Sequence, residues 1–172
     1  MKKIYLIIIS ILLINCQKSK IESKEFFDFD EIEHYNVDIT LEDWSIIASK
    51  KDEKSVDEKI FLNILNGSDP KTIDDKNFIV NLKKFYPKIV KISSTKLDSI
   101  RNIYTEKKHQ NPEFAACTPF YRDILIFKKN NNVIGISKVC FECGTQSTIG
   151  SKRNTENLGQ SGDMWKLESI LK

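Results

Sequence analysis

Tyr121-Arg122-Asp123-Ile124-Leu125-Ile126-Phe127-Lys128, then Asn130-Asn131-Asn132, then Val133-Ile134-Gly135-Ile136-Ser137-Lys138-Val139-Cys140-Phe141 sets the architecture of this 172-residue chain. Both flanks are rich in β-branched and aromatic residues, and asparagine tolerates the positive φ of a tight turn, so the stretch reads as a β-hairpin. Apolar side chains fall on both faces of each strand. A hairpin of that kind sits centrally in a sheet, with helices packed on at least one face.

Working outward, the remaining segments supply those helices and further strands. Tyr35, Val37 and Ile39 alternate with Asn36 and Asp38, the two-residue period of a half-buried strand. Thr40 followed by Asp43 reads as a capping box, and Leu41, Trp44, Ile47 and Ala48 then recur at helical spacing. Ser55 with Glu58 repeats the signal for a helix that stops at Gly67. A third helix spans Asp74 to Phe85, and Pro87 ends it ahead of a short strand through Ile89, Val90 and Ile92. Ser94 or Thr95 caps a fourth, through Leu97, Ile100, Ile103 and Tyr104. After a loop rich in Gly, Ser, Thr and Asn, Asp163 caps a last helix carrying Met164, Leu167, Ile170 and Leu171. The expectation is an α+β fold: a small, mainly antiparallel sheet with a central hairpin, packed by four to five helices in a single domain over residues 26–172.

The N-terminus has a different character. Lys2 and Lys3 precede an aliphatic run from Ile4 to Ile14, too short for the roughly 20 residues that cross a bilayer and suited to a secretory signal. Leu13-Ile14-Asn15-Cys16 resembles the lipobox of bacterial lipoproteins. That resemblance implies cleavage after residue 15, with diacylglycerol in thioether linkage on Cys16 and a further acyl chain, commonly palmitate, on its amine. Residues 1–15 are then the signal peptide, and residues 16–25 are the lipidated cysteine and a polar tether. At about 0.8 kcal/mol per buried methylene, two or three chains hold durably where one does not. The expected location is the cell envelope, with the domain outside the cytoplasm.

Charge excludes one class of partner. The chain has 27 basic and 24 acidic residues, and loss of Lys2 and Lys3 with the leader leaves a formal charge of +1. The lysines are mixed with acids along the chain, without the basic patch of a nucleic-acid binder.

Cys117, Cys140 and Cys143 are the constellation closest to chemistry. Centring the turn on Asn131 puts Lys129 opposite Val133 and, carried outward, Cys117 opposite residue 145, beside Cys143 and on its face. Beyond the inner membrane such thiols pair, and closing a loop of roughly 25 residues contributes about 3 to 4 kcal/mol. Cys143 is the preferred partner of Cys117, with Cys140 as the alternative. The remaining thiol reads as a small buried core residue. Two sharper readings stay open: a tetrahedral zinc site from Cys117, Cys140, Cys143 and His109, and a redox-active Cys140-x-x-Cys143 pair, although a strand and not a helix leads into it. The arrangement of Cys117-x-Pro119 and Cys140-x-x-Cys143 is similar to that in a group of small uncharacterised bacterial lipoproteins and secreted proteins, which implies a shared structural core.

Other catalytic signals are sparse. His34 and His109 belong to no nucleophile motif, and G-x-S-x-G and H-E-x-x-H are missing. Gly159-Gln-Ser-Gly162 reads as a turn before the last helix, and Arg122-Asp123 beside Tyr121 as a surface ion pair or part of a recognition patch. No cofactor is implied, and no enzyme assignment follows. The sequence favours a non-enzymatic binding module for a protein or peptide, against an alternative thiol- or zinc-dependent activity at Cys140 and Cys143.

Overall fold

A computed structural model describes residues 24–108 and 117–172. The leader, Cys16 and His109 lie outside them. Among the described residues the fold is α+β, an open five-stranded antiparallel sheet and five α-helices. The chain runs β1 (Glu31–Asn36), α1 (Leu41–Ser49), α2 (Val56–Leu65), α3 (Lys76–Phe85), β2 (Lys88–Lys91), α4 (Ser94–Ile103), β3 (Asp123–Lys129), β4 (Asn132–Cys140), β5 (Thr145–Ile149) and α5 (Asp163–Leu171). The strand order is β2-β1-β3-β4-β5, which puts β3 at the centre and leaves β2 and β5 at the edges. No helix among the described residues is long and apolar enough to cross a membrane.

The two-residue period of the strands splits the core into two layers. Tyr35, Ile124, Ile126, Ile136 and Cys140 face α1, α2 and α3, where Ile64, Leu65, Phe78 and Leu82 are buried. Ile32, Leu125, Phe127 and Val139 face α4 and α5, with Phe26, Phe27 and Phe29 closing that side. Helices therefore cover both faces of the sheet.

Local chemistry explains the element ends. Thr40 and Ser55 both form complete capping boxes, with Asp43 and Glu58 as the reciprocal partners. Gly67 follows the end of α2 with φ +81°, and a Cβ there would stand 2.5 Å from the Tyr121 ring, so both conformation and space demand glycine. Asp75 caps α3 by accepting from Asn77 and Phe78. At α4 the cap is Ser93, one residue before Ser94.

Several expectations need correction. The hairpin turn has two residues, Asn130 and Asn131, with φ of 49° and 65°, so Lys129 pairs with Asn132 and not with Val133. A bulge at Phe127 and Lys128 absorbs the difference, and from Phe127↔Gly135 inward the register is the one expected. β5 stands where a loop was expected. Its residues are half-buried and largely polar, and ladder bonds to β4 hold it, not an apolar stripe. Asp163 does not cap α5. Gly162 holds that position in the left-handed region, and Asp163 is the first helical residue.

Candidate functional site

The sheet's β2 side opens into a cleft of about 570 Å³ on the α5 face, bordered by Val90, Phe141 and Leu171 and by polar groups from β1, β3 and the end of α5. At its base His34 on β1 is buried, with Nε2 2.8 Å from Oδ1 of Asp123. Asn36 donates to the same oxygen from 2.9 Å. The antiparallel register of β1 and β3 builds this triad of polar side chains: Asn36 lies opposite Asp123 and His34 opposite Leu125. An ionised carboxylate only accepts, so in this contact Nε2 of His34 is the donor.

Ion pairs line the rim. Arg122 pairs with Glu142 from the turn after β4, and its guanidinium also reaches the Ile39 carbonyl at 3.4 Å and the Phe120 ring at 6.0 Å. Lys88 stands 4.0 Å from Asp38, and Lys172 is 2.5 Å from Glu168. Trp165, one helical turn before Glu168, is 79% exposed, an unusual state for so large an aromatic. Arg122 and Asp123 thus do not pair with each other, contrary to the expectation from sequence. Arg122 precedes β3 and pairs with Glu142, whereas Asp123, the first residue of β3, is held by His34 and Asn36.

Among the described residues the lining of the cleft is lysine, arginine, carboxylate, amide and imidazole with apolar side chains, and holds no serine, threonine or cysteine. The arrangement offers convergent donors and acceptors beside apolar walls, the composition of a binding surface.

The cysteines occupy a separate place. Cys117 and Cys143 are disulfide-bonded with Cα atoms 5.9 Å apart, and Cys140 is a buried free thiol. The expected partners meet, though not by the expected route. Residues 117–122 leave the ladder, with the Tyr121 amide bonding to Leu65 of α2, and Cys143 sits in the turn between β4 and β5. The bond uses two of the three cysteines of the zinc alternative, and His109 lies outside the described residues. Among those residues no cluster of three or more His, Cys, Asp or Glu could hold a metal. Cys140 packs in the core on the α1–α3 face, its partner in the redox alternative already bonded elsewhere.

Two buried charges carry no clear sequence signature. Lys138 on β4 is 1% exposed, and its ammonium donates to the Gly67 and Asp69 carbonyls at 2.7 and 2.9 Å. Burial pushes its pKa down to about 8, with Lys71 adding repulsion. Asp163 is buried against Lys107 from the segment that follows α4, with Lys166 4.0 Å away. That carboxylate already supplies the negative charge a helix N-terminus favours, so the Gly159–Gly162 turn serves chain reversal. A lysine within a hydrophobic strand was the one available signal for the first.

The chain matches no protein-family model, no curated protein and no solved structure.

Proposed function

We propose that the protein is a lipid-anchored binding module of the bacterial cell envelope. Cys16 carries the acyl chains, the following polar residues act as the tether, and the domain presents the His34–Asp123 cleft to a protein or peptide partner. The observation that carries the binding role is the cleft itself, where hydrogen-bonding groups converge beside Val90, Phe141 and Leu171. The Cys117–Cys143 bond supports placement outside the reducing cytosol, where such bonds persist.

Two measurements test the reading together. Labelled palmitate is incorporated into the expressed chain and lost in Cys16→Ala. A photo-crosslinking side chain at Val90 or Phe141 captures an envelope protein, whereas the same group at Glu156, outside the cleft, does not. Absence of label in the parent chain removes the anchor, and equal capture from Glu156 removes the cleft as the binding surface.

A further inference from the structure

Residues 76–91, Lys-Asn-Phe-Ile-Val-Asn-Leu-Lys-Lys-Phe-Tyr-Pro-Lys-Ile-Val-Lys, contain five lysines and no acidic residue. They fold as α3 and the edge strand β2. Among the described residues β2 pairs with β1 alone, which leaves its outer side an open sheet edge. The Ile92 amide donates to the Ile32 carbonyl at 3.0 Å, and the same register places Val90 opposite His34 and Lys88 opposite Asn36. In an antiparallel ladder these alternate residues turn their backbone inward, so Ile89 and Lys91 turn theirs outward. No described residue bonds to those outward groups. The side chains there are equally unpartnered: Ile89 is 44% exposed on one face and Val90 55% on the other, between Lys88 and Lys91.

An edge of this kind is a template for another strand. Charge decides which. A second copy would bring two five-lysine segments face to face, the repulsion by which edge lysines prevent self-pairing. Nearby carboxylates offset the block only in part. Lys84, Lys88 and Lys91 meet Asp57, Asp38 and Glu31 respectively, Lys128 draws on Glu31 and Glu33 as well, Lys83 is attracted to Glu33 at longer range, and Lys76 forms no ion pair with a described residue.

We infer that the partner binds by adding an extended acidic segment antiparallel to β2, as a sixth strand with the pattern acid, apolar, apolar, acid. The acids meet Lys91 and Lys88, and the apolar pair meets Val90 and Ile89. The residue opposite Val90 projects on the face of the cleft beside His34, which is how this inference rests on the proposed binding role and extends it.

The probe is the doubly capped hexapeptide Thr-Glu-Val-Val-Glu-Thr, titrated calorimetrically into the detergent-solubilised full chain. It binds. N-methylation of its second valine, whose amide faces Ile89, weakens binding about tenfold or more, whereas N-methylation of the first valine does not. Ile89→Pro removes an outward N–H that β1 does not use, so it weakens binding similarly while the melting temperature stays unchanged. Lys91→Glu transfers the preference to a peptide with lysine at its first acidic position. The inference is overturned by no binding at about 1 mM, or by binding indifferent to both methylation site and Ile89→Pro. Preferential binding of phosphatidylglycerol vesicles that survives Ile89→Pro also overturns it, in favour of a membrane-facing edge. If the Val90 crosslink persists in Ile89→Pro, the cleft reading stands without strand addition. Loss of crosslink and peptide binding from the parent chain removes both.

Discussion

Lys138 keeps an ammonium group inside the core, tied to two carbonyls of the loop after α2 and lying 5.8 Å from the Tyr121 ring. Its folded pKa of about 8 lies below the value near 10.4 of an unfolded lysine, so between these the unfolded chain binds more protons. Stability therefore rises with pH across that window, by on the order of 3 kcal/mol at most. Buried Tyr35, Tyr86 and Tyr104 shift upward, chiefly through burial, so the unfolded tyrosines ionise first and stability falls again above about pH 10. Urea midpoints measured from pH 7 to 10 rise for the parent chain and are flat for Lys138→Met. A parent curve without that rise would contradict a buried ammonium. Neither this residue nor the His34–Asp123 contact was legible in sequence. The latter joins side chains 89 positions apart, and only the placement of β1 against β3 brings them together.

Elements were easier to read, because their ends depend on neighbours in sequence. The capping residues Thr40 and Ser55 could be recognised since each partner lies three positions away, and Thr40→Ala and Ser55→Ala each lower unfolding free energy by about 1 kcal/mol in denaturant titration. The run of three asparagines likewise announced the hairpin, though not its two-residue turn. β5 could not be read the same way. A half-buried edge strand such as Thr-Gln-Ser-Thr-Ile is defined by its neighbour, and its own pattern resembles a polar loop. Gly135 shows a further limit of pattern. The Phe27 ring packs where its Cβ would be, so Gly135→Ala costs about 1 to 3 kcal/mol, readable as a lower urea midpoint with the slope unchanged.

Across the whole molecule, the disulfide joins cysteines 26 positions apart around the β3–β4 hairpin and fastens the chain before β3 to the turn before β5. Reduction, or Cys117→Ser, lowers stability by about 3 to 4 kcal/mol, while Cys140 reacts with a thiol reagent only after denaturation. A native-state adduct on Cys140 would show that the core opens there. In the proposed role, anchor and open sheet edge divide the work between them. The lipid sets where the domain stays, and β2 with the cleft sets what it meets.

Trp165 stands in solvent one turn from the cleft, and the other tryptophan, Trp44, packs edge-on to Phe120 on the opposite helical layer. The protein thus carries its own optical reporter. Docking that dries the indole shifts its emission to the blue, and a soluble quencher distinguishes it from its sheltered counterpart, so occupancy can be followed in unlabelled material.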